Sequence, residues 1–158
     1  MKFNDIVKLL VAFAASFLAA AIGSIFTFTS IATWYAALNK PFFTPPNWLF
    51  GPAWTILYIL MAVALFLIWR LPESKARNQA MALFAGQLIT NVLWSVGFFG
   101  LHNILLGVAL ILVLLALIVL TTYEFYKLSK PAAYAMVPYI LWVCFATCLN
   151  VAVFFLNL

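Results

Sequence analysis

The sequence predicts an all-α membrane protein, a bundle of five transmembrane helices, and its composition and charge spacing carry that expectation. Hydrophobic residues make up 68% of the 158 and charged residues 7%, against about 25% charged in soluble domains. Mean hydropathy is +1.18. The charges are spaced so that long uncharged runs lie between them: 31 residues between Lys8 and Lys40, 29 between Lys40 and Arg70, 46 between Arg77 and Glu124, and 28 after Lys130. Each run exceeds the roughly 20 apolar residues that a helix needs to cross hydrocarbon. In that medium the backbone has no water to bond, so a spanning segment must satisfy itself as a helix or a closed barrel.

The first span is expected over residues 6–28. It is too long for a secretory signal core, lacks a small-residue cleavage site at the right distance, and leads into further spans, so it is read as retained. A connection over 29–47 follows. Within residues 40–54, KPFFTPPNWLFGPAW, four prolines and five aromatic rings sit together. Pro41, Pro45 and Pro46 stop a helix from running back through this stretch. Its stiffness and rings predict an ordered lid packed on what lies beneath, where a Gly/Ser-rich stretch would be a flexible tether. The second span is expected over 48–69 and the third over 79–99. The 46-residue run would be about 69 Å long as one helix, more than twice the hydrocarbon thickness, so it must fold back. The turn is placed at Gly100-Leu101-His102-Asn103, with its Gly and Asn turn formers. The fourth and fifth spans follow over 104–125 and 132–155, so residues 1–158 read as a single transmembrane domain. Pro52 and Pro138, inside the second and fifth spans, each remove a helical hydrogen bond and are expected to bend their helices.

Five spans put the termini on opposite sides. Lys2, Lys8, Arg70, Lys75, Arg77, Lys127 and Lys130 then share one side and Lys40 stands alone on the other. The positive-inside rule places the N-terminus in the cytoplasm and the lid and C-terminus outside. The net charge of +5 is thus a topology signal, and no soluble basic face exists to bind nucleic acid. Cys144 and Cys148, one turn apart, read as small packers and not as a disulfide. His102 is the single histidine and has no second ligand nearby, so no metal site is expected. No phosphate loop, nucleophile elbow or dinucleotide fingerprint occurs, and no catalytic residue or cofactor is assigned.

Polar and aromatic groups in mid-span are what remain. Gln87, Asn91, Trp94 and Phe98 share one face of the third span, Trp54 and Tyr58 lie one turn apart on the second, and Tyr139, Trp142, Ala146 and Asn150 share a face of the fifth. Such groups serve equally well to knit helices together. Counted inward at 1.5 Å per residue, Trp54, Tyr58, Asn91, Trp142 and Ala146 fall roughly 10 to 20 Å deep, beneath the lid. A layer of rings, amides and phenols without formal charge suits a flat hydrophobic ligand. The absence of mid-span carboxylates and cations argues against an ion channel, a proton-coupled antiporter or a voltage sensor. A stripe of small residues on the third span, Ala82, Gly86 and Gly97, would let a second copy approach, or would serve packing within the bundle.

The run Trp34-Tyr35-Ala36-Ala37-Leu38-Asn39-Lys40-Pro41, then Pro45-Pro46, Trp54 and Tyr58, then Gln87, Asn91 and Trp94, and finally PYILWVCFATCLN over residues 138–150, resembles the translocator protein family. Its members are also called tryptophan-rich sensory proteins or peripheral benzodiazepine receptors. The likeness covers nearly the whole chain and is to a bacterial-type member. It implies a five-helix bundle, usually a homodimer, that binds porphyrins such as protoporphyrin IX and haem; the small-residue stripe, read separately, would put the dimer contact on the third helix. Sterols in eukaryotic members and synthetic drugs are further family ligands. By motif, Tyr35 and Pro45 are implied lid contacts; Phe50, Trp54 and Tyr58 line the second helix; Gln87, Asn91, Trp94 and Phe98 line the third; Trp142 and Ala146 line the fifth. Trp54 and Trp142 would flank the macrocycle, suited to stacking or to electron donation to a photo-excited porphyrin. Phe43 stands where many members carry Trp, and the tail after Leu149 lacks the Tyr and following cation of the eukaryotic cholesterol pattern, so a porphyrin-type ligand is preferred. Transport, sensing and light-dependent porphyrin breakdown have all been proposed in the family, and the resemblance does not choose among them. A membrane scaffold with no ligand is the remaining alternative.

Overall fold

The computed structural model describes residues 3–158. Lys2, counted above among the cations of one side, lies outside the described residues. Five long helices cross the fold: α1 (Phe3–Ile31), α3 (Asn47–Trp69), α4 (Lys75–Ser95), α5 (Ile104–Leu128) and α6 (Lys130–Leu156), with a short α2 (Trp34–Ala37) in the first connection. All five are long and apolar enough to cross a membrane. Their ends fall within about a turn of the expected spans, and α3 ends and α5 begins where the sequence places them; caps mark two of the starts. Ser74 accepts from the Arg77 amide at 3.1 Å and opens α4. Asn103 accepts from the Leu106 amide at 2.9 Å and opens α5. Each satisfies one of the amides that a first turn leaves without a partner.

The helices form a closed ring in the order α1, α3, α6, α5, α4, with α3 and α4 also touching across it. On α1 the buried residues are Ala12, Ser16, Ala19, Gly23 and Ser30. All are small and recur at helical spacing, which lets neighbouring backbones approach closely. A Cβ at Gly23 would lie 3.1 Å from Ser95 Oγ, so this glycine marks where α1 rests on α4. The end of the bundle away from the lid is filled by larger groups, including Phe84 and Phe125, whose rings stack at 5.9 Å. There Lys8 Nζ donates to the Trp69 carbonyl at 3.2 Å and ties α1 to the end of α3.

The last turn of α4 widens into a π-helical turn over Val96–Gly100, in which the Leu101 amide donates to the Val96 carbonyl at 2.7 Å. The chain reverses at once, with His102 at φ 51°. Gly107 then lets α5 lie flat on Phe98, since a Cβ there would collide with Phe98 Cδ2. Of the small-residue stripe on the third span, Gly97 is taken up inside the chain, where a Cβ would lie 2.8 Å from Leu110 Cδ1. Ala82 is exposed and Gly86 half-buried with open space beside it. Cys144 and Cys148 are free and exposed on the outer face of α6. Pro52 and Pro138 lie within their helices and also face outward.

Candidate functional site

A cavity of about 370 Å³ lies in the lid-side half of the bundle. From α3 it receives Phe50, Gly51, Trp54, Thr55 and Tyr58; from α4, Asn91, Trp94 and Ser95, with Phe99 of the π turn. Its third wall is α1, through Phe17, Ala20, Gly23, Ser24, Thr27 and Phe28. Among the described residues, no Asp, Glu, Lys, Arg or His lines it.

Trp54 is the hub of its aromatic wall. Its ring centroid lies 5.7 Å from Tyr58, 6.0 Å from Trp94 and 6.1 Å from Tyr139, within the range of favourable aromatic pairs. The polar groups behind this wall are cross-linked. Tyr58 donates to Asn91 Oδ1 at 2.6 Å, and Asn91 Nδ2 donates to the Tyr139 hydroxyl at 2.8 Å. Trp94 Nε1 donates to Asn150 Oδ1 at 3.2 Å, while Asn150 Nδ2 donates to the Ala146 carbonyl at 2.9 Å. Two amides, Asn91 on α4 and Asn150 on α6, thus join α4 to α3 and α6, the knitting role open to these residues from their spacing, while Asn91 also borders the cavity.

The lid is built on α2. Trp34 stacks on His102 with ring centroids 4.7 Å apart, and Ser30 Oγ donates to the Phe99 carbonyl at 2.7 Å while lying 3.1 Å from His102 Nε2. Tyr35 is buried against Phe98 and Phe99. Its hydroxyl has no partner among the described residues, and burial pushes its phenol up to about 12. Lys40 Nζ donates to the carbonyls of Tyr35, Ala36 and Leu38, each at 2.9 Å, closing the end of α2. The lid is also fastened to α6: the Asn39 amide donates to Asn157 Oδ1 at 3.0 Å, and Asn157 Nδ2 donates to the Asn39 carbonyl at 2.9 Å. Not every ring of the stretch packs inward. Phe43 meets Phe145 at 6.3 Å, but Phe42 is 100% exposed and Trp48 is exposed. Exposed aromatics at this height suit the interface between hydrocarbon and water.

A model of the TspO/MBR family matches residues 11–156. The chain belongs to the TspO/MBR family. It is 44% identical to the tryptophan-rich protein TspO of Archaeoglobus fulgidus, over 97% of this chain and 99% of that one. It is 43% identical to the protein of the same name from Chlorobaculum tepidum, over 85% and 86%. The human translocator protein is 33% identical over 84% of this chain and 79% of its own. As a TspO/MBR protein with five spanning helices, the chain is an integral multi-pass membrane protein.

Within this TspO/MBR bundle, the residues singled out from sequence divide into groups. Phe50, Trp54, Tyr58, Asn91 and Trp94 meet around the cavity. Tyr35, Phe98 and Ala146, with Phe50 and Trp94 again, border a neighbouring void of about 20 Å³ that reaches α6. Trp142 borders neither; its ring packs on Phe50 at 6.2 Å and Phe145 at 5.9 Å. Pro45 is a half-buried lid residue away from both. Gln87 is fully buried below the cavity, with Nε2 on Met61 Sδ at 3.9 Å. The wall was expected from the second, third and fifth spans, and the cavity instead opens against the first. Sequence reasoning missed α1 because its contribution is small residues, hydroxyls bonded to their own helix, and apolar Phe17, Phe28 and Ile31, all of which look like ordinary membrane-helix composition. The spacing of Ala20, Ser24, Thr27 and Ile31 was the available signal.

Proposed function

We propose that this chain is a membrane receptor of the transporting or sensing kind, which binds a porphyrin or similar flat hydrophobic ligand in the cavity between α1, α3 and α4. The observation that carries this reading is an uncharged cavity of about 370 Å³ walled by Phe50, Trp54, Trp94 and Phe99 in the lid-side half of the bundle. Small-molecule sites of about 300–1,000 Å³ with mostly apolar linings are the general rule, and rings on adjacent walls offer faces for stacking. Phe50, Trp54, Tyr58, Asn91 and Trp94 are proposed as direct contacts. Tyr35, Pro45, Gln87, Phe98, Trp142 and Ala146 would act by supporting the lid and the second row of side chains.

The test is titration of purified protein with protoporphyrin IX while following tryptophan fluorescence. Saturable quenching at micromolar ligand is expected, and absence of quenching overturns the reading. The hub position of Trp54, with Tyr58, Trp94 and Tyr139 within about 6 Å, favours a second reading in which light drives electron transfer from the protein to bound porphyrin. Unchanged absorbance of the complex under illumination excludes it.

Two further points belong to the proposal. The basic ends of the bundle are assigned to the cytoplasm, with the lid and C-terminus outside, on the positive-inside rule. A homodimer through α4 would use Ala82 and Gly86, since Gly97 is occupied within the chain. Gly86→Leu should then shift a solubilised dimer toward monomer in sedimentation.

A further inference from the structure

The cavity has a side opening whose position follows from which lining residues are exposed. On α4 and its π turn, Asn91, Trp94, Ser95 and Phe99 are all buried. On α1, Phe17 is 38% and Phe28 69% exposed, and Ala21 is exposed as well; on α3, Asn47 and Thr55 are exposed. The α4 side is therefore the back wall, and the opening lies between α1 and α3. Gly51 sits on its α3 edge, and a Cβ there would meet nothing within 4 Å. From Phe17 to Phe28 the opening runs about 16 Å along α1 at 1.5 Å per residue, within a spanning helix, so it faces lipid.

The hydroxyls beside this opening are all oriented by their own helices. Ser24 donates to the Ala21 carbonyl at 2.8 Å, Thr27 to that of Gly23 at 3.1 Å, and Thr55 to that of Gly51 at 2.9 Å. With their hydrogens engaged, the three oxygens have only lone pairs left to offer. Beside these three hydroxyls a carboxylate would meet acceptors and no cation, a costly arrangement in a low-dielectric site; the donor-bearing amide of Asn47 lies apart from them, at the lid-side start of α3. At the lid end the first connection is pinned by the Asn39–Asn157 pair and the Trp34–His102 stack.

We propose that the ligand enters sideways, from the lid-side half of the bilayer between α1 and α3, as an uncharged molecule whose hydrogen-bond donors meet the hydroxyl oxygens of Ser24, Thr27 and Thr55. This rests on the binding function proposed above and adds its route and the charge state it accepts. The chemical class is a membrane-dissolved, flat molecule bearing N–H or neutral O–H groups, such as a tetrapyrrole with protonated or esterified acid groups.

The experiment uses the full chain in vesicles, mixed rapidly with vesicles preloaded with protoporphyrin IX or its dimethyl ester, and reads the rate and extent of tryptophan quenching. Gly51→Phe places a ring in the opening and replaces a helix-interior glycine with a better helix former; Ala21→Phe does the same from the opposite edge. Each should slow association and dissociation together, by about tenfold, while Asn157→Ala, which removes both side-chain bonds of the clasp to the Asn39 backbone, changes both by less than about twofold. Should Gly51→Phe instead reduce the extent of quenching, the rates of Ala21→Phe decide. The dimethyl ester should bind within about tenfold of the diacid, and Thr27→Val with Thr55→Val should weaken both by severalfold, since removing an acceptor costs about 1 kcal/mol.

Unchanged rates in both edge variants, or acceleration by Asn157→Ala alone, overturn the route. Binding of the diacid without the ester overturns the uncharged form, and full affinity in the double valine variant removes the hydroxyls. Absence of quenching in the unaltered protein at equilibrium sinks the binding function itself, a result separate from all of these.

Discussion

Tyr58 on α3 donates its phenolic hydrogen to Asn91 Oδ1 on α4 at 2.6 Å, and both residues border the cavity. Asn91 hands the link on to Tyr139 of α6, so three helices meet at one amide. Tyr58→Phe leaves that oxygen without its donor and should cost about 1 kcal/mol, the scale of interhelical hydrogen bonds in membranes. Thermal unfolding in detergent checks this. Adding Asn91→Leu should produce a combined loss smaller than the sum of the two single losses, and strict additivity would show that the pair is not coupled.

Trp54 and Trp142 should separate functionally. Trp54 lines the cavity and touches three other rings, whereas Trp142 lies behind Phe50. Trp54→Phe is expected to weaken protoporphyrin IX binding by about fivefold, equivalent to roughly 1 kcal/mol of aromatic contact. Trp142→Phe should leave affinity within about twofold. If bound porphyrin changes its spectrum under light, at saturation that change should follow Trp54. Equal losses in both variants would mean that the ligand lies closer to α6.

Tyr35→Phe should not destabilise the protein. The hydroxyl is buried and lacks a partner among the described residues, so its removal relieves a desolvation penalty on the order of 1 kcal/mol. The effect of pH follows from the raised phenol. Its contribution is present below the ordinary value of 10.0 and is lost as pH rises through about 12, because the unfolded phenol ionises first. The Phe variant should lack this part of the alkaline loss, as thermal melts across that range would show.

Asn157→Ala should loosen the lid without unfolding the bundle. It removes the acceptor of the Asn39 amide and a donor to the Asn39 carbonyl, both at an exposed site. Hydrogen exchange of the Asn39 amide should accelerate while amides in mid-span keep their protection. Unaltered exchange at Asn39 would show that the clasp does not hold the lid.

Two glycines should respond in opposite directions. Gly107→Ala drives a methyl group into Phe98 and should cost about 1–3 kcal/mol through overpacking. Gly51→Ala meets open space within α3 and should gain about 0.5–1 kcal/mol of helix propensity. Melting temperatures compare them directly.

Much of the bundle was legible because hydrocarbon tolerates few solutions: the spacing of Lys8, Lys40, Arg70, Arg77 and Glu124 leaves helices as the economical answer. The faces of α3 and α4 were legible from Trp54, Tyr58, Asn91 and Trp94, since rings and amides in mid-span need partners. Phe98 was harder. It was placed on the Gln87 face by counting 3.6 residues per turn, but the π turn over Val96–Gly100 inserts an extra residue per turn. That change of phase accompanies its place beside Tyr35 and Ala146. The α1 wall was hidden for another reason: Gly23, Ser24 and Thr27 are small or internally bonded, and what distinguishes them is the space left beside them, a property of the assembled helices. Helix order around the ring, which brings α1 and not α6 to the cavity, is set by packing between segments far apart in sequence.

Lys40 gives the lid side an unusual response to salt. Its ammonium group is held by three backbone carbonyls and serves as an internal clamp. The other described cations lie at the far end of membrane-crossing segments 23 to 29 residues long, about 35 Å away and several screening lengths of about 10 Å at moderate ionic strength. An approaching ligand therefore encounters little long-range attraction that added electrolyte could weaken. Raising potassium chloride should leave uptake of a membrane-dissolved ligand nearly constant while weakening adhesion of the opposite end to anionic lipid. Ionic strength becomes a way of addressing the two ends of the molecule independently.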